Sequence, residues 1–129
     1  MTRTLLTLLM GTIVAVVPLS AHHSFAAYYN ESQSISLEGT VHEFRYKSPH
    51  AILVFHAPDP AGRMQRYEAE WANPRRLEGQ GITTNTLRPG DVVVVTGSPG
   101  RVASENKVHL KGIRRPSDGW KWGGDGRRR

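Results

Sequence analysis

The sequence predicts an all-β fold, a small barrel of five strands with one short helix, preceded by a secretory leader. Five segments that alternate between apolar and polar residues, or are continuously apolar, follow one another at short spacing over residues 35–115. One helical segment stands after the third of them, and Gly39 interrupts the first. Strongly curved five-stranded barrels combine these features. We therefore predict an OB-like barrel rather than a two-sheet sandwich.

The first two predicted strands differ in their patterns. ISLEGTVHEFRY at 35–46 alternates loosely, and its glycine suggests a bulge or a sharp bend. AILVFHA at 51–57 is mostly apolar, so we expect it to be buried on both faces. The turn cluster PDPAGR after it closes a hairpin with the next strand.

The third predicted strand, MQRYEAEW at 64–71, alternates cleanly. One face carries apolar side chains, namely Tyr67, Ala69 and Trp71. The other carries Arg66, Glu68 and Glu70. The two glutamates could form a carboxylate pair, but we expect them to be a solvated face that balances the arginine.

One helix and two further strands complete the predicted barrel. In NPRRLEGQG (73–81), Asn73 can cap the helix, a proline fits its first turn and a glycine ends it. The last strands are predicted over the valines 92–95, after a Pro-Gly turn, and over 107–113. Residues 116–129 are rich in glycine and charge and predict a flexible basic tail.

The first 21 residues have the character of a secretory leader. Arg3 precedes an apolar run from Leu5 to Val17, which is short for a membrane span of about 20 residues. We expect cleavage after Ala21, and a cut after Ala26 is the alternative. The mature protein would then be periplasmic or secreted, without a transmembrane segment. The predicted organisation is leader, N-terminal segment, barrel and tail, over 1–21, 22–34, 35–115 and 116–129.

Composition limits the chemistry of this 129-residue chain. It has no cysteine, which excludes disulfides, thiolate ligands and a cysteine nucleophile. The net charge is +6, with the basic residues spread out except for Arg127–Arg129. In an exported protein we expect such charge to meet an anionic polymer or a periplasmic protein, and not nucleic acid.

Several short motifs stand out together. The most specific is His22-His23-Ser24-Phe25-Ala26. The others are Gly39-Thr40-Val41, Pro49-His50-Ala51, Trp71, and Leu87-Arg88-Pro89-Gly90-Asp91 with Val93, Val95 and Gly97. Together they resemble a family of small exported bacterial proteins known only as a domain of unknown function (family number 6152), over His22 to roughly Ile113. Ser48 stands where that family usually has asparagine. The resemblance implies export and a small β fold, and it implies no activity.

Cleavage after Ala21 would make His22 the first residue. Its α-amine and its own imidazole can close a chelate ring on one metal ion, and an amine with a pKa near about 7.7–8.0 gives up its proton easily. A third nitrogen from another histidine would complete the T-shaped arrangement called a histidine brace. Nitrogen ligands without thiolate favour Cu(II), with zinc as the second choice.

The identity of the third ligand stays open between two residues. His50 is the first choice, because it follows Pro49 and lies between two predicted strands, where its ring can point outward from a barrel rim. His23 could bind through the intervening amide. The remaining histidines lie inside strands and are expected to be hydrogen-bonded or half-exposed rather than ligands; they are His42, His56 and His109.

The leading hypothesis is therefore an exported barrel that binds copper and stores, buffers or passes it on, without catalytic residues. The alternative is a module that binds an acidic polymer, an oligosaccharide or a protein on one barrel face. Its basic contributors would be Arg45, Lys47, Arg114 and Arg115. A copper oxidase of the histidine-brace type is a third hypothesis, disfavoured because the chain is short and shows no substrate platform. The aromatic residues after His23 are expected to anchor the N-terminal segment to the barrel; they are Phe25, Tyr28 and Tyr29.

Overall fold

The computed structural model describes residues 24–124, which form a closed five-stranded barrel with one additional strand and only short helices. The strands are β1 Ile35–Arg45, β2 Ile52–Pro58, β3 Met64–Glu70, β4 Val92–Pro99, β5 Lys107–Arg115 and β6 Trp120–Gly123. The helices are α1 Phe25–Tyr28 and α2 Pro74–Glu78, with one 3₁₀ turn at Ala103–Glu105. The predicted all-β, OB-like barrel is confirmed. Within this range no helix has the length and apolar character that a membrane crossing requires.

The strands are ordered β3-β2-β1-β4-β5-β6, and the neighbours in this order are antiparallel. The barrel closes where β3 and β5 pair in parallel, with Glu68, Ala69 and Glu70 opposite Lys107, Val108 and His109. We call this three-residue ladder the seam. Each strand of the barrel therefore has two neighbours, and the candidate site described below lies at the seam.

β1 serves both halves of the barrel because it bends in the middle. Its first half pairs with β4 and its second half with β2, and a bulge lies between Val41 and Glu43. Gly39, where a bulge or bend was predicted, stands before the bulge. There the backbone of β2 passes so close that a Cβ atom would collide with the carbonyl oxygen of His56. The glycine therefore permits the bend, and the extra residue is accommodated just after it.

The barrel interior is filled by apolar side chains from all five strands, and α2 packs against this core. Asn73 caps α2 by accepting a hydrogen bond from the backbone N–H of Arg76 at 2.9 Å, as predicted. Leu77 of α2 is fully buried. The alternation predicted for β3 is also found, since Tyr67 and Ala69 are buried.

The prediction of a loose tail from Pro116 is wrong for its first part. Residues 120–123 form β6, which pairs with the end of β5. Trp122 packs edge-on against the buried Trp71, with ring centroids 4.8 Å apart, and its Nε1 donates to Gln80 at 2.7 Å. Two tryptophan side chains thus secure a strand whose glycine-rich sequence alone does not predict one. Residues 125–129 lie outside the described range.

Candidate functional site

The structure describes His50 but neither of the two N-terminal histidines. His22 and His23 lie outside the described residues, which begin at Ser24. His50 lies in the loop between β1 and β2, directly after a cis Ser48–Pro49 bond. Its side chain is 36% exposed, so its ring reaches the surface as predicted.

The described N-terminal segment packs onto the seam. Phe25 stacks flat on the His109 ring, with centroids 3.8 Å apart and planes 2° apart, and its centroid is 5.4 Å from that of His50. Tyr29 is buried at 3% exposure and bridges to Gly100 of the β4–β5 loop. The predicted aromatic anchor is confirmed for these two residues, whereas Tyr28 remains 61% exposed.

One carboxylate joins Tyr29 to His50. Oε1 of Glu70 lies 2.6 Å from His50 Nδ1, and Oε2 accepts from Tyr29 Oη at 2.5 Å. Burial and the hydrogen bond to Glu70 raise the pKa of Tyr29 well above its usual value. The phenol therefore stays protonated and acts as a donor, so Glu70 accepts at both of its oxygens.

A second imidazole is held in the same way. Oε1 of Glu31 lies 2.8 Å from His109 Nδ1, and Oε2 of the same carboxylate is 2.8 Å from Lys111 Nζ. Burial acts to raise the pKa of Glu31, but hydrogen bonds from Lys111 and His109 outweigh it and lower that pKa. Glu31 is thus a carboxylate at neutral pH and a firm acceptor for the ring.

Both rings have the construction found for histidines that bind metals. Such a ring typically donates one N–H to a carboxylate, which orients it and leaves the other nitrogen for the metal. For His50 and His109 the engaged atom is Nδ1, and within residues 24–124 neither Nε2 has a hydrogen-bond partner. Within the same range, however, no group of three or more His, Asp or Glu side chains is placed to hold a metal ion.

A cavity of about 550 Å³ opens beside His50, between α1, the β1–β2 loop and the β4–β5 loop. Its lining combines Tyr28, Tyr29, Pro49 and Val102 with the charged side chains of Glu70, Arg101, Glu105 and Lys107. A larger cavity of about 720 Å³ lies between the β2–β3 and β4–β5 loops, and its lining includes no histidine. Of the titratable seam residues, Glu70 lines the smaller cavity alone and Lys107 lines both.

The histidines of β1 and β2 and two of the predicted basic contributors do not line the cavity beside His50. His42 and His56 meet edge-to-face on β1 and β2, with centroids 5.3 Å apart, and are exposed and half-exposed, respectively. Arg45 pairs with Glu43 and Glu68. Arg115 pairs with two aspartates at the far end of β5. These two arginines are thus partly neutralised by carboxylates of the chain itself.

Glu70 is the residue of the candidate site that the sequence analysis misread. Its neighbour Glu68 does pair with Arg66, as expected of a solvated face. Glu70, in contrast, turns toward His50 and Tyr29. The hairpin turn at 58–63 contained the signal, because a tight hairpin there sets Ile52 opposite Glu70 and so brings Glu70 near His50.

Comparisons with known proteins identify a family. No curated protein matches the chain. The solved structures that resemble it include a tRNA fluorescent labeling enzyme, with 23% identity and a TM-score of 0.43 over 64% of this chain and 18% of that one. They also include the ZRD-deleted mutant of TiaS in complex with agmatine, with 22% identity and a TM-score of 0.44 over 75% of this chain and 23% of that one. The chain thus spans about a fifth of either protein. The model of the family of unknown function DUF6152 matches residues 11–109, which include both sides of the candidate site, and the chain belongs to that family.

Proposed function

We propose that this protein is exported, is cleaved after Ala21 and binds one metal ion at the seam. The ligands are the α-amine and imidazole of His22 and Nε2 of His50, with His23 as the alternative to His50. Cu(II) is the proposed metal, since an all-nitrogen set of this kind favours it, and zinc is the second choice. The protein would store copper, buffer it or pass it on.

The packing of Phe25 is the observation that carries this proposal. Phe25 lies against the rings of His50 and His109, so the chain leaves the described range beside both of them. One residue, His23, lies between His22 and Ser24, and an extended chain spans at most about 7 Å over the two steps from Ser24 to His22. The proposal therefore requires only that this short length of chain extend from Ser24 toward His50.

The surroundings of His50 also support the proposal. Its Nδ1 is engaged by Glu70 and its side chain is 36% exposed. A half-exposed ligand suits a protein that gives up its metal, because an incoming ligand can reach the ion. The alternative cut after Ala26 would remove Phe25 and with it both ring contacts.

Mass spectrometry and calorimetry together test the proposal. The protein recovered from its native compartment should begin at His22. Mature protein should bind one Cu(II). An added N-terminal glycine or His50→Ala should weaken binding by about a hundredfold or more, because loss of an outer-shell partner alone costs about 10–100-fold. His42→Ala is the matched control, since it removes an exposed histidine that lies on β1, away from the candidate site.

Two results would overturn it. The first is an exported chain that begins at Ala27. The second is equal Cu(II) affinity of the mature and the glycine-extended proteins, which would show that the amine is not a ligand.

The cavity of about 550 Å³ favours a second candidate, a module that binds an anionic oligosaccharide. OB-fold proteins use the loops after strands one and four for such ligands, and both loops line this cavity. Lys107 and Arg101 would face the acidic groups. Binding of an acidic polysaccharide that weakens steeply with salt and ignores EDTA would favour this candidate over the metal.

A further inference from the structure

We infer that Glu70 is a positioning residue: it holds the His50 ring with the proton on Nδ1 and the lone pair of Nε2 free. As far as it concerns metal affinity, the inference rests on the proposed function. The protonation pattern itself is a property of the metal-free protein and can be tested separately.

The pattern follows from counting protons along the three groups. Tyr29 Oη carries one proton and lies 2.5 Å from Glu70 Oε2, so the phenol donates and the carboxylate accepts. Oε1 of the same carboxylate is 2.6 Å from His50 Nδ1. Since an ionised carboxylate has no proton to give, Nδ1 must donate. In the neutral ring the lone pair then resides on Nε2.

The backbone holds Glu70 firmly in this role. Glu70 is the last residue of β3, paired with Ile52 of β2 on one side and with His109 of β5 on the other. Its carboxylate is 27% exposed and used at both oxygens. Side chains on paired strands hold a ligand more precisely than side chains on loops.

Glu31 provides a matched comparison. It holds His109 Nδ1 at 2.8 Å, but it stands in the loop before β1 and shares its charge with Lys111. Removing either glutamate deletes one negative charge from the same surface, yet only Glu70 contacts His50. A purely electrostatic effect on a bound cation would therefore appear in both variants, whereas orientation of His50 depends on Glu70 alone.

The first experiment uses metal-free mature protein, with nitrogen and carbon chemical shifts of the histidine rings recorded at a pH where His50 is neutral. We expect wild-type His50 to carry its proton on Nδ1. In Glu70→Ala it should shift to the Nε2–H form, and in Glu31→Ala it should not change. Wild-type protein with the proton on Nε2 would overturn the inference. This wild-type measurement needs no variant, so a misfolded Glu70→Ala leaves the test intact.

The second experiment measures Cu(II) affinity by calorimetry and the copper site by electron paramagnetic resonance. Glu70→Ala should bind about 10–100-fold more weakly with altered nitrogen couplings, and Glu31→Ala should stay within about threefold of wild type. Glu70→Gln should recover part of the loss, because its amide oxygen can still accept from Nδ1–H.

The outcomes separate the two proposals. If the wild type binds no Cu(II) while the ring carries its proton on Nδ1, the proposed function fails and the positioning of His50 stands. If the wild type binds Cu(II) and Glu70→Ala matches it in affinity and spectrum, the positioning role fails and the function stands.

Discussion

Phe25 contacts two imidazole rings that come from distant parts of the sequence. His50 belongs to the first loop of the barrel and His109 to its last barrel strand, and the phenyl ring lies against both. Its own side chain is only half-buried. A residue of this kind contributes more to the placement of the N-terminal segment than to the core.

Replacing Phe25 with alanine should therefore affect metal binding more than stability. On the proposed function, we expect Phe25→Ala to weaken Cu(II) binding by about tenfold, because the N-terminal segment loses its contact with the His50 ring. The free energy of unfolding should fall by no more than about 1 kcal/mol. Calorimetry with Cu(II) and urea titration of the mature protein measure the two effects.

Tyr28→Ala is the control for this substitution. Tyr28 is an aromatic residue of the same helix that is 61% exposed, and its removal should change neither quantity. Equal Cu(II) affinity of Phe25→Ala and wild type would show that the ring does not position the N-terminus.

Individual site residues differ in how far the sequence reveals them. His50 could be singled out, because a proline precedes it and it stands between two recognisable strands. Tyr29 and Glu70 could not be assigned to each other, since they are 41 positions apart and meet only through barrel closure. Local sequence patterns predict burial and secondary-structure periodicity, but they do not predict which distant polar side chains pair.

At the scale of elements, β6 depends on Trp122. This ring packs against Trp71 and donates to Gln80, and β6 has few other apolar side chains. We expect Trp122→Ala to lower the free energy of unfolding by about 1–3 kcal/mol, less than for a fully buried tryptophan. Urea denaturation measures the loss. Lys121→Ala, on the same strand and exposed, should have no effect, and similar stability of both variants would contradict the role of Trp122.

Arg115 ties the end of β5 to two turns. It donates to Asp91 and to Asp118 at 2.9 Å each, and to the carbonyl oxygen of Thr86 at 2.8 Å. The side-chain hydrogen bonds from Arg115, aided by the backbone N–H of Trp120, lower the pKa of Asp118 below 3.8.

This lowered pKa predicts a sign for the acid dependence of stability. The folded state holds the Asp118 carboxylate charged more strongly than the unfolded state does. Its contribution is therefore present above pH 3.8 and is lost as the pH falls through the lower folded-state pKa. Asp118→Asn should be less stable than wild type at pH 7, and the difference should vanish in strong acid. Urea midpoints from pH 2 to 7 measure this, and a constant difference would refute the coupling.

The sequence predicts those elements that contain enough apolar residues to show the periodicity of a strand or a helix. Five barrel strands and α2 are found within a few residues of their predicted positions. The sequence does not reveal α1 or β6, which have four residues each. Elements this short show hardly more than one period, and their stability comes from contacts with the barrel.

At the scale of the whole molecule, the OB-like barrel could be inferred from the sequence, but the location of the N-terminal segment could not. The number, spacing and character of the strands limit the fold to a few barrels. No local sequence pattern predicts that residues 24–29 pack on the seam between β3 and β5. The meeting of the segment after His23 with His50 is therefore a result of the three-dimensional structure.

The seam also has a consequence for how the barrel opens. Three residue pairs join β3 to β5, the shortest ladder among the barrel pairings, and one of them is Glu70 with His109. Native-state fluctuations should part these strands first, exposing their amides to deuterium. Under the proposed function, a metal ion bound by the amino terminus and His50 would stabilise the seam. It would add about 2.7 kcal/mol to the free energy of unfolding when the free metal concentration is a hundred times the dissociation constant. Hydrogen exchange followed by mass spectrometry should then show Cu(II) slowing deuterium uptake at residues 68–70 and 107–109 and leaving β1 paired with β4 unchanged. Equal slowing of deuterium uptake in all strands would instead mean that the barrel opens in one cooperative step and not first at the seam.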